Sequence, residues 1–216
     1  MFLSPAEADA IETRIAHLEA HTGAQVVTAI VGKSDGYPEV VWKAFALGVA
    51  VAALVVVGCD VVKPDWLTAY ATWFNVVPML AVGAVSALLA IAVPDYARLY
   101  LNRLRAAGEV RQYAQAMFLE RQLFRTRARN GVLIVASLFE RKVELLADIG
   151  FAGRVDAAAW RAVVDAMTPF LAGARPADAL LRALDRIEEV LLASGFVPGA
   201  AAGDELPDRP IEAEGA

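Results

Sequence analysis

The apolar positions of this chain change period several times, and each change predicts an element. Ile11, Ile15 and Leu18 recur at helical spacing in an otherwise polar stretch, the stripe of an amphipathic helix over residues 1–22. Ser4 stands at its N-cap, Pro5 at the first helical position and Glu7 three residues on, which completes a capping box. Thr22-Gly23 stops it. The short β-branched segment 25–31 reads as a strand, and 32–38 as a turn-rich loop. Further on, 132–138 is a near-continuous apolar run suited to a strand buried on both faces, 139–141 a tight turn, and 142–148 a second strand of the same hairpin. Asp156 caps a helix carrying Trp160, Val163, Met167 and Leu171, ended by Gly173. Pro176 opens a last helix that ends at Gly195.

Two runs in the middle have no polar face. Between Ala44 and Val62 only Asp60 is charged, and Val76 to Val93 holds no charge. At ~1.5 Å per residue they span about 28 and 27 Å, close to the ~30 Å apolar thickness of a bilayer. Pro78 falls in the first turn of the second run, where its missing N–H costs little. Trp66, Tyr70, Trp73 and Phe74 cluster between the runs like an interfacial aromatic belt. Gly48/Ala52 and Gly83/Ala87 form small-residue pairs that would let the two helices approach closely. Lys43 precedes the first run, and Arg98, Arg103, Arg105, Arg111, Arg121, Arg125, Arg127 and Arg129 follow the second. That asymmetry predicts a multi-pass protein of the inner or plasma membrane with both ends cytoplasmic. The acidic first helix lacks the layout of an export signal. Residues 96–128 read as a basic helix broken near Gly108.

Composition narrows the functional classes. Apolar residues make up 58 % of 216, and the net charge is −5. The acidic balance argues against a nucleic-acid partner. A single cysteine, Cys59, excludes a disulfide framework and any multi-cysteine metal site. Residues 197–216 hold three prolines, three glycines and five acids against one arginine, which reads as a disordered acidic tail. No phosphate loop, nucleophile elbow or dinucleotide fingerprint occurs.

Ser4-Pro5-Ala6-Glu7 opening a helix, Thr22-Gly23-Ala24-Gln25 entering a strand, and above all Asn130-Gly131-Val132-Leu133-Ile134, the hairpin and Asp148-Ile149-Gly150 together resemble the TPM domain family. The resemblance is closest to its bacterial membrane-protein branch, in which a two-helix hairpin interrupts the domain, and covers residues 3–43, 115–193 and the hairpin. It implies an α/β fold, a small central sheet with helices on both sides, interrupted by an inserted transmembrane helical hairpin. The parts would be 1–43 and 96–196 for the domain, 44–62 and 76–95 for the spans, 63–75 for an external connector and 197–216 for the tail. Described family roles include weak acid phosphatases, photosystem repair or assembly factors, and accessory subunits of membrane proteins. Many members carry an acid before the Asn-Gly, where this chain has Arg129, and Gly-Tyr-Gly after the last strand, where it has Asp148-Ile149-Gly150-Phe151. Both departures count against a metal or phosphatase site.

Chemistry is sparse. Asp35 and Asp148 both follow strand ends, and meeting at one end of the sheet they would bind a divalent cation or serve acid–base work. Otherwise they are turn-forming surface acids. His17 and His21 lie one turn apart, a zinc-binding spacing without a visible third ligand. Asp35 and Tyr37 in the first loop, and Arg127, Arg129, Asn130 and Asp148 around the hairpin, are the candidate functional residues, with none assigned to catalysis. The expectation is a non-catalytic, membrane-tethered adaptor or assembly factor without a resident cofactor, contacting lipid and another membrane protein. The alternatives are a weak metal-assisted acid phosphatase and a module that binds anionic lipid through its arginines.

Overall fold

The computed structural model describes residues 2–62, 71–198 and 205–215. These form two compact units, residues 1–35 with 104–216, and residues 36–103. The element order is α1 (Pro5–Thr22), β1 (Gln25–Lys33), α2 (Pro38–Val62), α3 (Ala71–Ala92), α4 (Pro94–Arg98), α5 (Arg103–Glu120), β2 (Gly131–Ser137), β3 (Lys142–Ala147), α6 (Ala157–Ala172), α7 (Pro176–Ala193) and β4 (Ile211–Gly215). The expected capping box of α1 forms, with Glu7 N–H donating to Ser4 and the Glu7 carboxylate accepting from Ser4 N–H. Gly23 closes the helix in the left-handed conformation.

The first unit is a mixed sheet in the order β3-β2-β1-β4. β1 and β2 run parallel, Gln25 opposite Gly131 and Val31 opposite Ser137. β3 returns antiparallel on β2 through the predicted turn. Strand alternation sends Val26, Ile30, Val132 and Ile134 to one face, where α1, α6 and α7 pack on them through Ile11, Ile15, Met167, Leu180 and Leu184. Val27, Val31, Leu133 and Val135 go to the other face, which Ala114 and Met117 of α5 and the turn residue Leu123 cover. All seven residues of β2 are buried, as a strand covered on both faces must be. The α/β class with helices on both sides of a small sheet is therefore what the chain adopts.

The expectation of a disordered tail is overturned at its end, while residues 199–204 lie outside the described residues. Residues 211–215, within the span expected to lack structure, form β4 and pair in parallel with β1 from Ala29 to Lys33. Composition misleads here because an edge strand is held by its ladder and not by core burial. β4 satisfies the outer N–H and C=O groups of β1, which would otherwise form an open edge. The Glu212 carboxylate also accepts the backbone N–H groups of Phe2 and Leu3, and Gly32 admits the Glu214 carbonyl where a Cβ would come within 2.8 Å of it.

The second unit contains two helices long and apolar enough to cross a membrane, Pro38–Val62 and Asn75–Ala92. A soluble core helix would be largely buried, yet only 6 % and 17 % of these segments are. Leu54, Val55, Leu88 and Ile91 are exposed. What burial there is follows small-residue stripes, with Ala44 and Gly48 on α2 and Gly83, Ser86 and Ala90 on α3. A Cβ on Gly48 would lie 3.1 Å from Gly83 Cα, and one on Gly83 only 2.5 Å from a Val49 methyl. The glycine members of the two expected pairs thus face each other, and Ser86 Oγ donates across the seam to Ala44 O at 2.8 Å.

Several boundaries move. α2 starts at Pro38 and not at 44, because Glu39 and Lys43 fit its first turns. α3 starts at Ala71, which places Pro78 in the helix interior and not in its first turn, so the carbonyl of residue 74 lacks its i+4 donor. α3 ends at Ala92, before the expected residue 95, since Val93 precedes a proline and takes φ −120°, ψ 100°. The basic helix breaks at residues 99–102 and not at Gly108, which lies inside α5. A helical glycine costs only ~1 kcal/mol relative to alanine. Lys63, Asp65, Trp66 and Tyr70 of the expected connector lie outside the described residues.

Three outcomes test these contacts. Leu184→Ala, at a fully buried position, is expected to cost about 2–5 kcal/mol of unfolding free energy by denaturant titration. Truncation after residue 198 removes β4 and should lower the thermal midpoint and raise light scattering as the β1 edge opens. Gly83→Leu should separate α2 from α3 and lower the thermal midpoint in detergent.

Candidate functional site

The candidate residues divide between the two ends of the sheet. Because β1 and β2 are parallel and β3 is antiparallel to β2, the end of β3 returns to the start of β1. Asp148 therefore lies beside Gly131 and Gln25, whereas Asp35 follows the far end of β1. Eight residue steps of ~3.3 Å along β1 put about 26 Å between those ends. Of the two readings open for Asp35 and Asp148, the structure takes the separate one, since the parallel register sets them at opposite ends of the sheet.

At the start of β1 and β2, Arg129 grips Asp148 with one edge of its guanidinium, Nε to Oδ2 at 2.7 Å and Nη2 to Oδ1 at 2.9 Å. Asp148 is buried, and it also caps the following 3-10 turn by accepting Ile149 N–H at 2.8 Å. Its carboxyl is held below the usual aspartate range, chiefly by the Arg129 hydrogen bonds; burial opposes this, and the Ile149 N–H and the Arg129 charge reinforce it. Arg129 itself sits at φ 52°, its carbonyl accepting Gly150 N–H at 2.9 Å. A Cβ on Gly150 would come within 2.4 Å of that carbonyl, and one on Gly131 within 2.4 Å of Leu123 O. Both glycines of the Asn-Gly … Asp-x-Gly pattern are thus demanded by close backbone approach.

Asn130 ties this corner to the first half of the chain. Its side-chain amide donates to Gly23 O, and Gln25 N–H donates to its carbonyl at 3.0 Å. Three groups that the sequence reading passed over complete the corner. Glu19 is buried and accepts Val26 N–H at 2.7 Å and the Gln25 amide at 3.0 Å. The Gln25 side-chain oxygen accepts the N–H groups of Glu205 and Leu206. The Glu205 carboxylate accepts Arg127 N–H at 3.2 Å. The side chains of Arg121, Arg125 and Arg127 are exposed beside this corner.

At the far end, Arg105 donates to Asp35 at 2.9 Å. Glu140, also missed, is buried in the β2–β3 turn and accepts Ser34 N–H at 2.9 Å, Ser34 Oγ–H at 2.5 Å and the Ser137 hydroxyl. It anchors the loop after β1. Tyr37, in the other unit, is buried at φ 44°. The loop 33–38 is therefore not a continuous exposed surface, because its aromatic residue is turned out of solvent. Sequence gave no signal for Glu19 or Glu140, since a lone acid near a turn has the same pattern whether solvated or buried.

Residues 94–190 match the family model described as TPM domain. No curated protein matches it. Among solved structures it resembles the NMR structure of BA42 protein from the psychrophilic bacterium Bizionia argentinensis, at 14 % identity and a TM-score of 0.59, over 98 % of this chain and 96 % of that one. At that identity the likeness concerns the fold.

The Asp148 pair has a testable pH signature. A carboxyl whose folded pKa lies below its unfolded value adds stability above the unfolded value, and that stability is lost as pH falls through the folded one. Asp148→Asn is therefore expected to lower the denaturant midpoint at neutral pH and to flatten its decline on acidification. Arg129→Ala should do the same, and high salt should shrink the difference from wild type.

Proposed function

We propose that this chain is a membrane-tethered adaptor or assembly factor for membrane proteins, with α2 and α3 as its anchor and the TPM domain as its docking module on the cytoplasmic face. The reading rests mainly on the two candidate carboxylates, which lie at opposite ends of the sheet, each engaged by an arginine. A metal-assisted hydrolase needs acid, base and charge stabiliser converging on one pocket. At Asp148 the guanidinium of Arg129 occupies the place a cation would take.

Tethering has its own support. Large apolar side chains such as Leu54, Val61, Leu88 and Ile91 stand exposed along α2 and α3, in a number that soluble monomers seldom present. β1 precedes α2 and β2 follows α3, yet the two strands pair, so a hairpin that crosses the bilayer and returns leaves both flanks on one side. The arginines after α3 favour the cytoplasmic side. An adaptor needs a shaped, charged surface and no reactive centre, and exposed Arg121, Arg125 and Arg127 beside the anchored Asn130 corner provide one.

Reporters active only outside the cytoplasm, fused to either end, are expected to stay silent; activity from either fusion overturns the topology. Photo-crosslinkers at Arg125 and Arg127 in intact membranes are expected to capture a specific membrane protein, and charge reversal at both positions should abolish capture. Divalent-dependent phosphate release by the purified protein that disappears in Asp35→Asn and in Asp148→Asn would replace the adaptor reading with the phosphatase one.

A further inference from the structure

The structure supplies the third ligand that the paired histidines lack in sequence. α1 and α7 pack side by side on the same face of the sheet. This brings Glu188 of α7 against His17 and His21 of α1. Nδ1 of His21 lies 2.7 Å from Glu188 Oε1, Nδ1 of His17 lies 3.7 Å from it, and the donor atoms of all three residues fall within 4.8 Å of one another. The two imidazole rings stand 4.0 Å apart, edge to face. In a tetrahedral zinc site with bonds of 2.0–2.2 Å, neighbouring ligand atoms are about 3.3 Å apart, so the observed spacings bracket the required one and small side-chain rotations reach it. We propose that His17, His21 and Glu188 form a zinc site that clips the segment before the hairpin to the segment after it.

The donor set selects the metal. Two imidazoles and one carboxylate suit zinc and disfavour magnesium or calcium, which prefer oxygen ligands. The Glu188 carboxylate is held in place by its neighbours on both sides. Arg14 bonds Oε2, the oxygen not facing the histidines, and donates to Asp185 at 2.8 Å. It orients the carboxylate from outside, the usual task of a residue behind a metal ligand. The same guanidinium is 3.5 Å from His17 Nδ1, so its charge opposes the metal's and should keep the affinity moderate. Both histidines are about half exposed, which leaves an entry path and room for water as the fourth ligand.

The site's meaning follows from where its ligands come in the chain. His17 and His21 precede the long insertion and Glu188 follows it, so bound zinc stabilises the two-part domain by linkage, since the unfolded chain has no such cluster. The experiment is a zinc chloride titration of the full chain in detergent, in a Cys59→Ser background to remove the exposed thiol, read by competition with a chromophoric chelator and by the thermal midpoint. The expected result is one zinc per chain, a midpoint that rises with zinc but not with magnesium, and at least tenfold weaker binding in His17→Gln, in His21→Gln and in Glu188→Gln. The first two change exposed side chains, so their metal-free midpoints should stay close to the parent's. Absence of saturable binding, or binding of unchanged strength in both histidine variants, overturns the proposal.

Discussion

The parallel pairing of β1 with β2 is the constraint on which the rest of the structure depends. These strands stand in the middle of the sheet yet lie about a hundred residues apart, with α2 to α5 between them. Parallel strands always need a crossover, and here the crossover has been enlarged to hold the apolar hairpin. The cost of closing a longer loop grows only logarithmically with its length, while the strands it joins bury both faces against α1, α6, α7 and α5. The insertion is therefore tolerated, and the first 35 residues join the sheet as a full partner. The same pairing decides which residues can share a site, because it fixes which strand ends coincide.

The Asn-Gly … Asp-x-Gly corner shows how a sequence pattern can serve architecture. Gly131 and Gly150 make room for passing carbonyls, Asn130 bonds the end of α1, and Asp148 caps a turn while paired with Arg129. Every group has a structural task. The charge that faces solvent there comes from neighbouring arginines. At the opposite end Glu140 does the equivalent work, holding the loop after β1 through Ser34 and Ser137.

Polar seams stitch elements that the apolar core alone would leave free to slide. Arg14 reaches Asp185 and Glu188 across the α1–α7 contact, above a layer of Ile11, Ile15, Leu184 and Ile187. These partly buried ion pairs, sharing one arginine, fix the register of two helices whose apolar stripes would accept more than one. In the second unit Ser86 does this with a single hydrogen bond to Ala44 O, where Gly48 and Gly83 bring the backbones close.

Local chemistry determined much of this protein. The capping box and Gly23 set the limits of α1, the apolar run 132–138 and its turn set the hairpin, Asp156 and Pro176 set the starts of α6 and α7, and the uncharged runs set α2 and α3. Each follows from interactions within a few residues, which sequence displays directly. Three things were decided only by tertiary structure. β4 exists because β1 offers it an open ladder, a property of another strand and not of residues 211–215. Asp35 and Asp148 are apart because strand direction, which periodicity does not encode, places the end of β3 at the beginning of β1. Glu188 stands beside His17 and His21 because two helices far apart in the chain pack on the same sheet face, and no local pattern shows which helical faces will meet.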